Sequence, residues 1–295
     1  MELVIDNLTK KYQNTMAVDH ISYTMKCGVY GLLGANGAGK TTLMRMMCTL
    51  VKPSEGRITL DGKDIWELDS TYRKKLGYLP QDFGYYPDFS AMDYLMYIAS
   101  AKGINTFIAR KRSTELLHKV GLEAASNKKI KKLSGGMKRR LGIAQAMLND
   151  PQILIMDEPT AGLDPNERIR FRNLIGELAK ERLVLLSTHI VSDVEYIADE
   201  ILLMKSGKIE CTGTFQELAE MLPVKVWSCN ISNQDADKYI NNYQVVNVKP
   251  KAHDINLRLL HKSQPCEGAR EEELTLEDIY FYYFGEKAGD KDAIL

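Results

Sequence analysis

Two stretches of this sequence carry residues that could do chemistry, and the first is a glycine-rich turn. Gly34 to Thr41 fit the spacing G-x-x-x-x-G-K-[ST], which is typical of a loop that binds phosphate groups. Glycines such as Gly37 and Gly39 let backbone N–H groups approach an anion closely. Lys40 supplies a positive charge for the β and γ phosphates, and the Thr41 hydroxyl is a suitable ligand for Mg²⁺.

The second stretch is an apolar run that ends in two adjacent carboxylates. Ile153 to Met156 predict a strand buried on both faces, and Asp157 and Glu158 follow it directly. Unpaired charge is costly at the end of a buried strand, so a cation or a reacting group is expected beside it. We predict that Asp157 holds Mg²⁺ through water and that Glu158 polarises an attacking water. The alternative is a strand that runs out into solvated acids.

Three more side chains are candidates because they lie at the ends of predicted strands. Tyr12 could stack on a purine, although an ordinary tyrosine at a strand end is equally compatible with these residues. Gln81 follows the short strand from Leu76 to Leu79. His189 ends another apolar strand, at the sheet edge where parallel sheets bind ligands. A lone histidine is more often structural, but at this edge we interpret His189 as a γ-phosphate contact.

A serine and two glycines stand at the start of a predicted helix. Ser134 is a favourable N-cap, and Gly135 and Gly136 follow it. Taken alone, this pattern is also compatible with a flexible turn. The basic run from Lys128 to Lys132 just before it could be a nucleic-acid patch, but such a run is usually a solvated surface.

Alternating strands and helices are predicted to position these residues, beginning with two short strands, Glu2–Leu8 and Ile21–Met25, around a turn. The phosphate loop joins an apolar strand to a helix over Thr42–Thr49, and residues 82–150 read as mainly helical. Phe215–Met221 and Leu276–Phe284 are predicted as helices. From residue 224 onward, strands alternate with short helices, the acidic stretch Glu267–Glu273 is predicted as a loop or helix start, and no chemistry is visible. The polar residues 287–295 are predicted to fray. We predict an α/β fold with two domains, 1–222 with a helical subdomain at about 82–150, and 223–295.

Composition and charge exclude several function classes. The formal net charge is zero, so no global field favours nucleic acid or an acidic membrane. The five cysteines are scattered and form no CxxC, which indicates free thiols in a reducing cytosol rather than disulfides or a zinc site. No signal peptide is predicted at the start. No apolar run approaches the ~20 residues that span a bilayer, so a role at a membrane would need a partner.

In this fixed order, the motifs resemble the ATP-binding subunit of an ABC transporter. The resemblance covers residues 1 to about 222, and the segment Leu133-Ser134-Gly135-Gly136 is its most specific part. It implies a P-loop ATPase core of the ABC type, a mixed sheet plus a helical subdomain, with a small C-terminal α+β appendage. It also implies ATP and Mg²⁺ as cofactors, a permease on a separate chain, and a second ATP-binding subunit, as in a homodimer. The expected place is the cytoplasmic side of the cell membrane, with no nucleic-acid partner.

The resemblance assigns roles to individual residues. Tyr12 would stack on adenine, and Gln81 would sense Mg²⁺ and the γ phosphate. Ser134 and the following N–H groups would bind the γ phosphate of ATP held by the second subunit, Asp164 would cross that interface, and His189 would act as a γ-phosphate switch. The predicted catalytic residues are Glu158, His189, Lys40 and Gln81, and the predicted metal ligands are Thr41, Gln81 and Asp157. The predicted nucleotide contacts are Tyr12, Gly34, Asn36, Gly37, Gly39, Lys40, Thr41, Thr42, Ser134, Gly135, Gly136 and Asp164.

One departure from the family's commonest signature makes the resemblance more specific to one branch of the family. Met137 stands where the family's commonest signature has glutamine, and Lys138, Arg139 and Arg140 follow it. This variant resembles the bacterial exporter branch with ABC-2-type permeases, whose substrates include drugs, antibiotics, peptides and lipid-like molecules. The alternative is a soluble ABC ATPase that acts as a nucleotide switch in translation or repair. Such proteins usually carry two cassettes in one chain or long coiled coils, and neither is present in the sequence.

An aromatic segment after Gln81 is the predicted coupling surface. Phe83, Tyr85, Tyr86 and Phe89 are four aromatic residues within the eight from Asp82 to Phe89. Exposed apolar clusters usually mark interfaces, and the resemblance implies that a cytoplasmic helix of the permease docks beside this segment. The alternative is that the rings pack the helical subdomain onto the core.

Overall fold

The structure is a computed structural model that describes residues 1–251 and 254–285. The chain forms two compact units, Met1–Glu210 and the residues from Cys211 onward. The functional boundary between residues 222 and 223 stays a prediction, and the tail at 287–295 lies outside the described residues. Within the described ranges, none of the helices has both the length and the apolar character needed to cross a bilayer.

The elements follow the predicted alternation of strands and helices. The strands are β1 (Leu3–Tyr12), β2 (Thr15–Met25), β3 (Gly28–Leu33), β4 (Glu55–Leu60), β5 (Lys63–Asp64), β6 (Leu76–Leu79), β7 (Ile153–Asp157), β8 (Leu183–Thr188), β9 (Glu200–Lys205), β10 (Lys208–Gly213), β11 (Lys225–Ser232), β12 (Gln244–Pro250), β13 (Asp254–His261) and β14 (Arg270–Glu272). The helices are α1 (Lys40–Met47), α2 (Ile65–Leu68), α3 (Ser70–Lys74), α4 (Ala91–Ala101), α5 (Thr106–Lys119), α6 (Gly135–Ala146), α7 (Pro165–Leu178), α8 (Val191–Ile197), α9 (Phe215–Met221), α10 (Ala236–Asn242) and α11 (Leu276–Phe284).

Two sheets build the first unit, and the larger one positions the candidate site. Its strand order is β10-β9-β3-β8-β7-β6, and the five strands from β9 to β6 pair in parallel. Every residue of β7 and β8 is buried, as expected for parallel strands covered on both faces. The carboxyl ends of β3, β6, β7 and β8 therefore meet at one edge, where such sheets bind ligands.

The smaller sheet covers the larger one across an apolar core. Its order is β2-β1-β4-β5, with antiparallel pairing throughout. The core combines side chains of β1 such as Leu3 and Ile5, of α1 such as Met44, and of β7 and β8 such as Ile155 and Leu185. Burying each such side chain fully contributes about 1.5–3 kcal/mol to the free energy of unfolding. Since many such side chains pack against the strands that carry the site, the site is built on a rigid sheet. The predicted mixed α/β fold is confirmed.

Three helices fill the region predicted to be helical, and each begins at a polar cap. The Ser90 side chain accepts from the N–H of Asp93 before α4, Asn105 accepts from Phe107 before α5, and Ser134 accepts from Met137 before α6. These caps satisfy N–H groups that a helix start leaves unpaired. The helices α4, α5 and α6 pack on one another.

The structure corrects the sequence prediction in two places. The predicted short strands Glu2–Leu8 and Ile21–Met25 are parts of the long hairpin β1–β2, which extends to the pair Tyr12 and Thr15. The acidic stretch Glu267–Glu273, predicted as a loop or helix start, contains the edge strand β14, which pairs with β11. Long-range backbone pairing decided the extension of the hairpin and the strand β14, because the local pattern of the added residues does not favour strands.

The second unit contains an antiparallel sheet in the order β12-β13-β11-β14. Its small core is formed by Cys229, Leu257 and Leu259, and Tyr239 and Tyr243 of the α10 region pack against it. The helix bounds at α9 and α11 match the predicted spans, Phe215–Met221 and Leu276–Phe284. The predicted α+β character of this segment is therefore confirmed.

A buried ion pair joins α11 to the sheet of the second unit. The Asp278 carboxylate is fully buried, and it accepts hydrogen bonds from Arg258 at 2.9 and 2.7 Å. It also accepts from the N–H and hydroxyl of Thr275 at 2.8 and 2.7 Å, which caps α11. Burial by itself raises the pKa of Asp278, but these hydrogen bonds outweigh it and lower the pKa below its ordinary value.

Asp278→Ala is expected to destabilise the second unit by about 2 kcal/mol, because it removes the buried carboxylate that pairs with Arg258, although Glu272 stays, and half of the capping box of α11. Since the folded pKa of Asp278 is lowered, its stabilisation is fully present above the unfolded pKa of about 3.9 and is lost as the pH falls through the folded value. Thermal unfolding should be followed at pH 7 and at pH 3. The difference in unfolding temperature between the variant and the unmodified chain should be large at pH 7 and smaller at pH 3. Lys225→Met, which removes the exposed pair with Glu271, is the control and should cost under about 1 kcal/mol. A gap that does not narrow in acid would contradict the role of the Asp278 charge.

Candidate functional site

The glycine-rich turn lies between β3 and α1 and is held tightly against its neighbours. Gly39 has a φ of 105°, and a Cβ there would stand 2.1 Å from the Ala17 carbonyl oxygen. At Gly34 a Cβ would stand 2.3 Å from the carbonyl oxygen of Met204. Both positions therefore require glycine, and the backbone N–H groups at the start of α1 stay accessible to an anion.

Lys40 is a buried cation at the first position of α1. Its side chain is only 7% exposed, and its ammonium donates to the Gly34 and Ala35 carbonyls at 2.7 and 3.1 Å. Burial lowers the pKa of Lys40, and the charges of Glu158 and Asp157 act against that shift. The group is thus held across the turn with donor capacity left for an anion.

Asp157 and Glu158 lie at the carboxyl end of β7, and β8 positions both of them. The Ser187 hydroxyl donates to Asp157 Oδ1 at 2.6 Å. The Glu158 N–H donates to the Ser187 carbonyl at 3.1 Å, and Glu158 takes a φ of 48°. The Glu158 carboxylate is hydrogen-bonded to His189 Nδ1 at 2.7 Å. Glu158 and His189, which were predicted separately at the ends of two strands, are therefore in direct contact.

One cavity brings most of the predicted site residues together. It has a volume of about 460 Å³ and opens at the carboxyl edge of the parallel strands. The predicted residues that line it are Asn36, Gly37, Gly39, Lys40, Thr41, Thr42, Gln81, Asp157, Glu158 and His189. Its size is that of a small-molecule site, and its lining combines the Lys40 cation and backbone N–H groups with the carboxylates of Asp157 and Glu158.

The hairpin β1–β2 adds residues that the sequence analysis missed. Thr15, Met16 and Ala17 line the cavity, and they follow directly on the turn of that hairpin. Tyr12 does not line the cavity; it pairs with Thr15, is 45% exposed, and lies under the Lys10 ammonium at 5.1 Å. The length of the hairpin, which the sequence pattern did not reveal, is what carries Met16 to the site.

Ser134 and its glycines lie outside the cavity. The Ser134 hydroxyl accepts from the Met137 N–H at 3.2 Å, and a Cβ on Gly136 would stand 3.0 Å from Glu167 Cγ. Asp164 caps α7 by accepting from the Glu167 N–H at 2.9 Å. The segments at Ser134 and Asp164 are thus neighbours through Glu167, on a surface separate from the phosphate loop.

The metal ligands predicted from sequence are grouped in the cavity but form no cluster of acids. Thr41, Gln81 and Asp157 all line it, whereas the described residues contain no group of three or more His, Cys, Asp or Glu placed to hold a metal. Mg²⁺ commonly binds one or two protein oxygens together with phosphates and waters. A hydroxyl, an amide and one carboxylate beside a phosphate loop therefore fit this ion.

The chain that carries this site is similar to known proteins and solved structures. Residues 18–161 match the family model described as ABC transporter. The chain is 37% identical over 79% of its length, and 77% of the relative's, to an uncharacterized ABC transporter ATP-binding protein, YxlF of Bacillus subtilis strain 168. It is 39% identical over 69% of its length, and 66% of the relative's, to the bacitracin transport ATP-binding protein BcrA of Bacillus licheniformis. A solved dimeric, post-hydrolysis state of an ATP-binding cassette bound to ADP and Pi matches with a TM-score of 0.65 and 27% identity, over 72% of this chain and 98% of that one.

Proposed function

The chain belongs to the family of ABC transporter ATP-binding proteins, and we propose that its ATPase activity drives export through a membrane permease on a separate chain. The observation that carries this proposal is that buried Lys40 and the contacting pair Glu158 and His189 line one cavity. A cation suited to phosphate and a candidate base for water thus line the same small-molecule-sized space, which supports the proposal.

The cavity lining supports a division of roles in ATP binding. Lys40 and the N–H groups from Gly37 to Thr42 would hold the β and γ phosphates. Thr41, Asp157 and Gln81 would hold Mg²⁺, which supplies charge neutralisation on the phosphate oxygens when it is bound.

Glu158 and His189 are proposed to act on the attacking water. The carboxylate is 7% exposed and can accept a proton from a water positioned in the cavity. His189 fixes the orientation of that carboxylate through its 2.7 Å hydrogen bond. Gln81 lines the same cavity from the end of β6, where it can contact both the γ phosphate and the ion.

A second copy of the chain is proposed to complete each site. Ser134 and Gly135 present a helix start on a surface away from the chain's own cavity, and a helix start favours anions. The similar solved cassette is dimeric. We therefore propose a head-to-tail homodimer in which Ser134, Gly135, Gly136 and Asp164 face the ATP of the partner, with a two-fold axis relating the copies.

The relatives and the variant signature favour an exporter at the cytoplasmic side of the membrane. BcrA is named for bacitracin transport, and we propose a drug, antibiotic, peptide or lipid-like substrate for this system. The permease would have the ABC-2 type, and no nucleic-acid partner is expected. Residues 1–222 are proposed as the ATPase domain and 223–295 as an accessory domain.

The aromatic segment after Gln81 divides into a packed part and an exposed part. Phe83 packs against Tyr94, with ring centroids 6.3 Å apart, and lies against α6 at Gly142. Tyr86 contacts Tyr97 at 5.3 Å between ring centroids, yet it is 49% exposed. Packing therefore accounts for Phe83, and the exposed ring of Tyr86 supports the proposed permease contact.

Replacing Tyr85 and Tyr86 together by Ala is expected to leave the ATPase activity of the isolated chain near normal and to abolish transport. Their rings would anchor the permease, and truncated aromatic anchors typically cost a complex about 2 kcal/mol or more. The measurements are ATPase activity, transport, and recovery of the permease with the tagged chain. Tyr196→Ala is the control, because Tyr196 is also exposed but lies on α8. Normal transport by the double variant would refute the coupling role. If the double variant does not fold, Tyr86→Ala is tested by itself, and normal transport by that variant would also refute the role.

The exporter proposal is tested by what purifies with the chain from membranes. We expect an integral membrane protein to co-purify with the tagged chain after mild detergent extraction. Co-sedimentation with ribosomes, without a membrane protein, would favour the soluble nucleotide-switch alternative instead.

A further inference from the structure

Arg139 on α6 has an unusual set of partners. Its side chain is buried, with 8% of the residue exposed, and the guanidinium makes five hydrogen bonds, all to backbone carbonyls. A guanidinium has five N–H donors in a rigid fork, so every donor is used. An arginine whose donors all bond to main-chain oxygens fixes the position of backbone segments and not that of another side chain.

The five carbonyls belong to two segments that border the ATP cavity. One segment follows β6, where Nη1 donates to Pro80 and Gln81 at 3.1 and 2.7 Å. The other is the end of β7, where Nε donates to Pro159 at 2.9 Å. There, Nη2 donates to Asp157 and Glu158. One side chain therefore connects the backbone of Gln81 with the backbone of both acidic residues.

The charge of Arg139 is not used in an ion pair. Among the described residues, no carboxylate lies within ion-pairing distance of its guanidinium, which leaves the side chains of Asp157 and Glu158 directed to the cavity. Burial lowers the pKa of Arg139, and the nearby charges of Asp157, Asp82 and Glu158 oppose that shift. Charge-assisted hydrogen bonds to the carbonyls compensate the burial. Burying a charge costs free energy of folding. The buried charge of Arg139 is therefore better explained by a role in positioning the backbone than by a contribution to stability alone.

We propose that Arg139 is a positioning residue for hydrolysis, which sets Gln81 and Glu158 in register with each other and with the Ser134 end of α6. Ser134 caps the same helix five residues earlier, so a displacement of that helix end is transmitted through the guanidinium to both segments. The proposal rests on the proposed roles of Gln81 and Glu158. It concerns the turnover step, because Arg139 does not contact the phosphate loop or line the cavity.

Arg139→Gln and Arg139→Lys test the proposal against the matched control Arg182→Gln. Arg182 also donates to carbonyls, those of Pro151 and Leu178 at 2.9 and 2.8 Å. Pro151 lies before β7, at the end of that strand remote from Asp157. Both glutamine variants therefore remove carbonyl bonds next to β7, and Arg182→Gln also removes an ion pair with Asp150, but only Arg139→Gln loosens the cavity end.

The measurements on the full chain are kcat, the Kd for ATP, and hydrogen–deuterium exchange. A misplacement on the order of 1 Å can cost about 100-fold in rate, so we expect Arg139→Gln to lower kcat at least about tenfold. We expect the Kd for ATP to stay within about threefold, because Lys40 is untouched. Exchange should rise in residues 80–86 and 157–163 together, and Arg182→Gln should change neither kcat nor those segments. Lysine keeps the charge but not the fork, so Arg139→Lys should restore little of kcat.

Three results would overturn the proposal. The first is a folded Arg139→Gln with near-normal kcat. The second is an Arg139→Lys variant as active as the unmodified chain, which would show that charge alone suffices. The third is faster hydrogen–deuterium exchange in only one of the two segments, 80–86 or 157–163. This result can be measured even on a variant that is too unstable for kcat to be determined. Failure of the underlying site assignment is separate, since it would appear as normal turnover by Glu158→Gln.

Discussion

Glu158→Gln should bind ATP with near-normal affinity and lose at least about 100-fold in turnover, the range expected for removing a general base. Glutamine keeps the size of the side chain and can still hydrogen-bond to His189, so the 2.7 Å contact need not collapse. It cannot accept a proton from water. The loss should therefore appear in kcat and not in the Kd for ATP, which is the signature of an interaction made in the transition state.

The control for this result is Lys40→Ala, which removes the cation that we propose contacts the phosphates of bound ATP. It should weaken ATP binding itself, because the ammonium that spans Gly34 and Ala35 has no substitute in the turn. The two variants thus separate binding from hydrolysis when nucleotide binding and phosphate release are measured on the same preparations. Turnover within about twofold of normal by pure Glu158→Gln would remove Glu158 from the assignment of catalytic residues.

The second large effect concerns the surface at Ser134. In the Glu158→Gln background, ATP should convert the chain from a monomer to a dimer on gel filtration, because unhydrolysed nucleotide would hold two copies together. Ser134→Arg places a bulky cation at the start of α6 and removes the hydroxyl that caps it. We expect the ATP-dependent shift to be lost completely, with binding of ATP by the separate chains retained.

Ser90→Arg is the matched control for that substitution. Ser90 also caps a helix of the same region, by accepting from the Asp93 N–H at 3.1 Å, and losing either cap costs about 1 kcal/mol. A general loss of helix stability would therefore affect both variants, while loss of the dimer should follow Ser134→Arg only. A dimer that persists in Ser134→Arg would show that this helix start does not close the interface.

The sequence by itself determined the parts of the site that are local. An apolar strand, a glycine turn and a helix directly after Lys40 are contiguous, so their spacing predicts both the structure and the anion site. The same holds for Asp157 and Glu158 after a buried strand, and for α9 and α11, whose Thr214 and Thr275 caps make their starts readable. The roles of these residues remain predictions, but their grouping at one sheet edge followed from parallel pairing.

Only the tertiary structure decided which distant residues complete the site. Thr15 to Ala17 reach the cavity because β1 and β2 pair beyond the apolar part of their sequence. Ser187 orients Asp157, and Arg139 joins two segments that lie 58 and 18 residues away from it along the chain. In sequence, Arg139 is one of several cations in a basic stretch and carries no pattern of its own. Its partners are main-chain carbonyls, which every residue possesses, so only the folded chain could show which of them it binds.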